Sequence, residues 1–310
     1  MFRSLKHKLF FLLLSLVIIK AMAQQDPMYS LYTQDKMLIN PAYVGSSNWA
    51  VGSLKYRAQM VGLDGAPVTQ TFNFHAPIQK KHIGLGVKVI HDQVAVVKTT
   101  SAHLTVSYHM GLAGGKLSFG LEGGMINQSI DFTKLVAHDP ADNAILNGSG
   151  SVLVPDFNFG TLYHKKNFYI GFSDYHLTQE KLKYVSSSQA SMYNHQFYYM
   201  GYVLDLNEHF ALEPSVLVKS VAGAPIQCDF NCFLNYMERF ALGASYRTGD
   251  GIVGVFKYNI TENLRIAYAY DYALTPISNY SGGSHEILLS YGIKLLPPPA
   301  EKEIHPRYYF

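Results

Sequence analysis

The chain has 310 residues and a formal net charge of +3, and it combines 14% aromatic residues with only 15% charged residues. The positive charge belongs to the first 23 residues, which hold four of the 25 Lys and Arg and none of the 22 Asp and Glu, so the remainder carries a net charge of −1. A nucleic-acid surface needs clustered Lys and Arg, which this remainder lacks, and nucleic acid is therefore excluded as a partner.

The N-terminus predicts an exported protein. Three basic residues precede an apolar run at 9–19, and the small residues Ala21 and Ala23 fit a signal peptidase site. The run is roughly half of the ~20 residues that a membrane-spanning helix needs. We therefore expect residues 1–23 to be a signal peptide that is cleaved before Gln24.

Residues 24–47 form a polar segment rich in turn residues ahead of the first predicted strand. Asp26-Pro27 and Asn40-Pro41 both favour turns. The segment is too long for a simple lead-in, so we expect it to occupy the lumen or the periplasmic mouth of the domain that follows.

From about residue 48 to 294, apolar and polar residues alternate with a period of two, which predicts β-strands throughout. Within 264–272, for example, the even positions are Leu, Ile and Tyr, whereas the odd positions are Arg, Ala and Asp. A soluble β-sandwich and a membrane barrel both fit this alternation. The barrel is favoured because the aromatic and aliphatic face suits lipid, and the small and charged face suits a lumen. Tyrosines near predicted strand ends fit interfacial girdles, namely Tyr108, Tyr246, Tyr258 and Tyr291.

The alternation divides into fourteen strands, so the predicted fold is an all-β, antiparallel transmembrane β-barrel. Predicted short turns interleave with longer connections, of which the longest run from about 127 to 150 and from about 174 to 191. With the N-terminus in the periplasm, short turns are periplasmic and long loops external, as in outer-membrane barrels. The predicted strands begin near Asn48, Val68, His82, Lys98, Lys116, Ser151, Asn167, Met192, His209, Pro225, Arg239, Gly251, Leu264 and Ser284.

The predicted organisation is a signal peptide at 1–23, an N-terminal periplasmic or luminal segment at 24–47, a barrel at 48–296 and a periplasmic tail at 297–310. Three prolines open the tail, which either contacts a partner or is disordered. The predicted inward faces hold many Gly, Ala and Ser and few charged residues, which argues against an open polar lumen.

The histidines and cysteines give no metal or redox signature. Thirteen histidines are scattered, with His103 and His109 on one strand face, so no metal and no cofactor are expected. Cys228 and Cys232 share a strand face roughly 13 Å apart, from a rise of ~3.3 Å per residue, which is too far for a disulfide in a straight strand. They are predicted to be two free small residues, or thiols bridged by a bend.

No catalytic motif is present in the sequence. Ser284, His285 and Glu286 form the one dense trio, but neighbouring strand residues point to opposite faces, so His285 cannot serve either neighbour as a base. No Gly-x-Ser-x-Gly elbow occurs, and an enzyme is not expected. Asp139, Asp142 and Asn143 carry side-chain oxygens that could bind calcium. They do not match the calcium-loop consensus, so we interpret them as part of a solvated loop.

The N-terminal part of the chain contains a series of short sequence motifs. They are QDPMYSLY at 25–32, INPAYVG at 39–45, YR at 56–57, GLDGAP at 62–67, TQT at 69–71, HAP at 75–77 and GLG at 84–86. The combination resembles the start of the PorP/SprF family of Bacteroidetes membrane proteins. The similarity covers residues 24–93, and the ending PRYYF at 306–310 is similar to the family's aromatic terminus.

The resemblance implies an outer-membrane component of the type IX secretion and gliding system. Such a protein assists export or surface anchoring of adhesin-like cargo, with other type IX secretion or gliding proteins at its periplasmic face, secreted adhesin cargo at its external face and outer-membrane lipid around it. A passive diffusion channel or uptake porin is the alternative, and a lipase or acyltransferase at the rim is a third class. The long loop at 127–150 and the triple proline depart from the simplest family pattern and leave the partner open.

The shared N-terminal motif has two interpretations. Either Asn40-Pro41 fixes a turn after which Ala42 and Gly45 allow close backbone approach, seating a plug or docking a partner, or the turn only guides the chain into strand one. The predicted partner-binding or plug residues are Tyr29, Tyr32, Asn40, Pro41, Ala42, Tyr43, Asp64 and Gly65.

Overall fold

A computed structural model describes residues 26–78, 82–134, 149–185 and 188–295. The predicted signal peptide, the three oxygen-bearing residues of the 138–147 loop and the C-terminal tail lie outside these ranges. No helix in the described ranges is both long and apolar enough to cross a bilayer.

The described chain is almost entirely β-structure. Five short 3-10 helices accompany the strands, at Leu31–Thr33, Lys36–Leu38, Pro41–Tyr43, Phe132–Lys134 and Pro276–Asn279. The strands are β1 Trp49–Ala58, β2 Val68–Ile78, β3 Ile83–Val94, β4 Val97–Leu112, β5 Gly115–Asp131, β6 Ser149–Lys165, β7 Phe168–Tyr175, β8 Lys181–Val185, β9 Ser188–Ser191, β10 His195–Tyr202, β11 Leu204–Asp205, β12 Phe210–Val221, β13 Gln227–Tyr236, β14 Phe240–Arg247, β15 Gly251–Asn259, β16 Leu264–Ala273 and β17 Ser284–Lys294.

Fourteen of these strands close into an antiparallel barrel. Each pairs with its neighbour along the chain, β17 pairs with β1, and β10 pairs with β12 across the two-residue β11, so every barrel strand in the described ranges has two partners. Closure satisfies the backbone groups that an open sheet would leave at its edges, which is the condition for placing a sheet in lipid. The predicted strand count is confirmed, and each barrel strand begins within three residues of its predicted start.

Side chains alternate between the two surfaces of the barrel as the sequence predicts. In β16 the large residues Tyr268 and Tyr272 are exposed on the outside, while Arg265, Ala267 and Ala269 are buried inside. The outer surface is dense in exposed Leu, Ile, Val, Phe and Tyr, and it includes Tyr108, Tyr246 and Tyr291 near strand ends. An apolar surface of this extent is stable in a bilayer and costly in water.

The interior corrects one expectation, because it is rich in charged residues. Nine of the fourteen barrel strands contribute one or two of these charges, which are far apart in sequence, and only closure of the barrel brings them together. The expectation of few inward charges was therefore wrong. The buried charged residues include Lys55, Arg57, Lys88, Glu122, Asp156, Asp229, Arg247, Lys257, Arg265, Asp271 and Glu286.

The two ends of the barrel differ. The short-turn end is the one where β1 begins, and the short β4–β5, β6–β7, β10–β12 and β15–β16 connections lie there. The long-loop end holds the β5–β6 and β7–β10 connections. Both predicted long loops are in part strands: β5 and β6 stay paired as far as Asp131 and Ser149, and the second loop contains the β8–β9 hairpin.

The β8–β9 hairpin folds over the mouth of the barrel at the long-loop end. Leu182 of β8 and Met192, just after β9, pack against the inward-facing Ile126 and Val154 of β5 and β6. Burial of these four apolar side chains holds the hairpin against the wall, which narrows the opening on that side.

Candidate functional site

Residues 26–47 run through the barrel interior and are called the luminal segment below. Asp26 lies at the long-loop end beside His176, whereas Gly45 approaches Gly84 near the short-turn end, where β1 begins. The segment is thus placed in the lumen, and its first described residue lies at the end of the barrel opposite the start of β1.

The segment folds as three single turns of 3-10 helix. Asn40 caps the third turn by accepting a hydrogen bond from the Ala42 amide at 2.8 Å, and Pro41 supplies the fixed φ favoured at the first helical position. Such turns expose unpaired amides and carbonyls, which inward-pointing side chains of the barrel satisfy. Ser173 and Tyr175 donate to the carbonyls of Ile39 and Leu38.

Asn40 is the most fully bonded side chain of the segment and has no exposed surface. Its amide nitrogen donates to the carbonyls of Thr161 in β6 at 2.9 Å and Phe172 in β7 at 3.2 Å, and to the Tyr199 hydroxyl in β10 at 3.1 Å. One side chain therefore ties the turn to three strands.

Glycines of the wall make room for this turn. A Cβ added to Gly160 would overlap the Asn40 side-chain oxygen, and a Cβ added to Gly120 would overlap the backbone of Pro41 and Ala42. The backbone of the Asn-Pro-Ala-Tyr motif thus approaches the barrel wall closely, as expected. The glycines that make room for it are Gly120 of β5 and Gly160 of β6.

A buried charge cluster holds the beginning of the segment. Arg57 of β1 pairs with Asp271 of β16 at 2.7 Å and with Glu286 of β17 at 3.1 Å. Ser30 bonds to the same groups, donating its amide to Glu286 at 2.7 Å and its hydroxyl to Asp271 at 2.7 Å. The cluster converts three separate strands and the segment into one hydrogen-bonded unit.

A second ionic contact lies one turn further along the segment. Asp35 accepts hydrogen bonds from Lys55 of β1 and, at 2.7 Å, from Asn73 of β2. This contact ties the luminal segment to two neighbouring strands of the wall.

Apolar contacts also hold the luminal segment in place. Together with the hydrogen bonds and ion pairs described above, they form what we call the seat of the segment. Leu31 is fully buried among inward residues of β13, β15, β16 and β17, including Phe233 and Leu288. Tyr32, Met37 and Tyr43 pack with inward residues of β6, β7, β10 and β12. The segment thus contacts strands on opposite sides of the lumen and occupies its cross-section.

Six of the eight predicted site residues come together in this seat. Tyr29 bonds to Thr71 of β2 at 3.0 Å, and Tyr32 bonds to Asn231 of β13 at 2.9 Å. The buried predicted residues are Tyr29, Tyr32, Asn40, Pro41, Ala42 and Tyr43.

The other two predicted residues, Asp64 and Gly65, lie elsewhere. They are exposed in the β1–β2 loop at the long-loop end, where the Gly65 carbonyl accepts a hydrogen bond from Ala95 at 2.9 Å. Gly65 has a φ of +74°, a conformation that favours glycine. Asp64 and Gly65 belong to the same family resemblance as the luminal segment, but they lie outside the lumen.

A cluster of titratable residues lies at the long-loop end, where Asp26 meets the ends of β7 and β10. His176 contacts Asp26 through Nε2 at 2.9 Å and Asp156 through Nδ1 at 2.8 Å, and His103 contacts Asp156 at 2.9 Å. His195 Nδ1 lies 3.9 Å from Asp26. The separations in sequence are too large for spacing to have indicated this group.

The carboxylates control the charge of this cluster. Burial lowers the pKa of His176, but Asp26 and Asp156 outweigh burial and raise it to about 10. Burial raises the pKa of Asp26, but His176 and His195 hold it well below its usual range. An imidazolium between two carboxylates is therefore the metal-free state at neutral pH.

A cavity of about 490 Å³ lies beside this cluster. Asp26, His176 and His195 line it, together with apolar side chains that include Ile90 and Phe197. The cavity belongs to the mouth of the lumen and lies above the seated part of the segment.

The remaining sequence candidates show no convergent chemistry in the described ranges. Ser284 and Glu286 point into the barrel, while His285 points outward and bonds to Tyr268 at 2.6 Å, as strand alternation predicts. Cys228 and Cys232 are free and lie on the same, outward face.

Comparison with known proteins gives a family. A family model described as type IX secretion system membrane protein PorP/SprF matches residues 21–291. No curated protein matches the chain.

The chain is similar to several solved outer-membrane proteins at low sequence identity. The P. putida toluene transporter TodX is 11% identical, with 84% of this chain and 93% of that chain covered and a TM-score of 0.49. A Pseudomonas aeruginosa FadL homologue is 11% identical over 83% and 93%, with a TM-score of 0.45. Acinetobacter baumannii Omp33 is 10% identical over 80% and 97%, with a TM-score of 0.43.

Proposed function

The chain belongs to the PorP/SprF family of type IX secretion system membrane proteins, and we propose that it assists export or surface anchoring of adhesin-like cargo through protein–protein contacts. It is an outer-membrane barrel and a membrane component of that system. The proposal concerns what the barrel does there.

The occupied lumen is the observation that carries this proposal. The luminal segment bonds to β1, β2, β6, β7, β10, β13, β16 and β17, and its burial leaves wall and segment packed as one core. A folded or unfolded cargo chain has no room to pass beside a segment held in this way. The barrel therefore acts through its surfaces, as a partner of a conduit and not as the conduit.

The two ends offer different surfaces for contact. The long-loop end presents the β8–β9 hairpin and the exposed loop with Asp64 and Gly65, and we assign it to external cargo. The short-turn end is assigned to type IX secretion or gliding proteins in the periplasm. Lipid covers the apolar outer wall between them.

Gene deletion followed by a census of surface-attached and secreted proteins tests the role. Loss of one adhesin identifies a dedicated cargo partner, and loss of all type IX cargo identifies a core component. Complementation with the wild-type gene is the control. Unchanged secretion and surface display in the deletion strain would refute the proposal.

Conductance distinguishes this role from that of a diffusion channel or uptake porin. A barrel whose lumen is filled by its own segment is expected to show no large, steady conductance in a planar bilayer. Stable open channels of the wild-type protein would favour the porin instead, because they require a continuous aqueous path.

A further inference from the structure

We propose that Asp26, His176 and His195 form a binding site for a divalent transition-metal cation, with Zn²⁺ as the ion that the ligand set fits. The site lies at the long-loop end of the lumen, apart from the seat of the Asn-Pro-Ala-Tyr motif. The proposal does not rest on the secretion role, because it concerns a property of the purified chain.

The three side chains are already close enough to share one ion. One ligand atom from each lies within 4.8 Å of those of the other two. The Asp26 oxygens lie 2.9 and 3.0 Å from His176 Nε2. Ligands on a tetrahedral Zn²⁺ with bonds of ~2.0–2.1 Å are separated by about 3.3 Å, so small side-chain movements complete the geometry.

Neighbouring groups orient both imidazoles as metal ligands. The Asp156 carboxylate lies 2.8 Å from His176 Nδ1, and the Tyr193 carbonyl lies 3.0 Å from His195 Nδ1. A proton held on Nδ1 by such an acceptor makes Nε2 the ligand atom, and Zn²⁺ would displace the Nε2 proton of the His176 imidazolium to solvent. Carboxylate and carbonyl acceptors of this kind typically lie behind metal-ligating histidines.

His195 supplies an independent indication. The residue is 6% exposed, and its Nε2 has no hydrogen-bond partner among the residues that the structure describes. A buried polar nitrogen without a partner costs free energy. The His195 atom near Asp26 is Nδ1, at 3.9 Å, so the ring must turn to bring Nε2 to the ion, and coordination would then remove that cost.

The ligands connect three parts of the molecule. Asp26 belongs to the luminal segment, His176 follows β7 and His195 begins β10. Three protein ligands leave a fourth position, which faces the 490 Å³ cavity that all three residues line. Bound Zn²⁺ would therefore fasten the first described residue of the segment to the wall while keeping one position open to water or a donor from a partner.

The test is Zn²⁺ binding by the folded, detergent-solubilised barrel, produced without a histidine tag and treated with EDTA. Isothermal titration is expected to show one Zn²⁺ per chain, and Co²⁺ is expected to give the visible absorption of a four-coordinate site. Zn²⁺ should also raise the thermal unfolding midpoint, since a ligand that binds the folded state stabilises it.

Two variants remove single ligands and one provides a matched control. Asp26→Asn and His195→Gln should each weaken Zn²⁺ binding at least tenfold and abolish the Co²⁺ absorption. His91→Gln, at an outward-facing histidine of β3, should leave both unchanged. Heat-modifiable gel mobility verifies that each variant is folded.

Absence of Zn²⁺ binding by the wild-type barrel would overturn the proposal and leave His176 as an imidazolium between two carboxylates. Binding that persists unchanged in folded Asp26→Asn and His195→Gln would also overturn it, by locating the ion elsewhere. Neither result alters the secretion test, which depends on deletion of the gene.

Discussion

Replacement of Asn40 by alanine isolates the contribution of the Asn-Pro turn to the seated segment. The change removes the cap of the Ala42 amide and the bonds to Thr161, Phe172 and Tyr199 in a site with no exposed surface. Thr161 and Phe172 belong to the paired β6–β7 ladder, so the groups that lose a partner are chiefly the Ala42 N–H and the buried Tyr199 hydroxyl.

The magnitude follows from these contacts. A buried donor without a partner costs about 1–3 kcal/mol, and the lost donated bonds and the void add roughly 1 kcal/mol, giving about 2–4 kcal/mol in total. At about 1.4 kcal/mol per factor of ten, this shifts the equilibrium between seated and released segment by roughly 30- to 700-fold.

Two measurements detect this shift of the equilibrium between seated and released segment. Urea-dependent unfolding of the barrel in lipid vesicles should show the lower stability, and single-channel recording should show openings that the wild-type protein lacks. Asn279→Ala, at an exposed position of the β16–β17 connection, is the matched control and should change neither. A folded Asn40→Ala barrel with wild-type stability and wild-type conductance would refute the seat and leave the turn as a guide into strand one.

Further predictions test the wall and the outer surface. Gly160→Leu should displace Asn40 and increase conductance, whereas Gly254→Leu, which meets nothing within 4 Å, should not; equal recordings would contradict the close approach. Arg57→Met should lower the unfolding free energy by about 3–5 kcal/mol because two buried carboxylates lose their partner, and a loss below about 1 kcal/mol by denaturant titration would be inconsistent with that pairing. In a Cys228→Ala background, Cys232 should resist a membrane-impermeant maleimide in the lipid-embedded barrel and react after unfolding, since it faces outward from a barrel strand; labelling of the folded barrel would place that face in water.

Strand periodicity carried most of the fold because it is a local property. Even positions of 264–272 are large and odd positions are small or charged, and this alternation alone fixes which face meets lipid. Strand starts were predictable for the same reason, since turn residues interrupt the pattern. The expected loop at 127–150 was too long because period-2 pairing continues into it as far as Asp131 and Ser149.

The N-terminal motif was recognisable in sequence, but its seat was not. Asn40-Pro41 indicates a turn wherever it occurs, whereas the matching space at Gly120 and Gly160 lies on strands about 80 and 120 residues later. Ser30 carried no signal at all, because its partners Asp271 and Glu286 are more than 200 residues away.

The sequence by itself determined an exported, lipid-facing barrel of fourteen strands and its family, since these depend on composition, periodicity and short local strings. Only the tertiary structure decided that the lumen is charged and filled, and that Asp26 meets His176 and His195 at its mouth. Barrel closure brings residues together by strand order and register, and neither distance nor direction between such residues is encoded in their spacing along the chain.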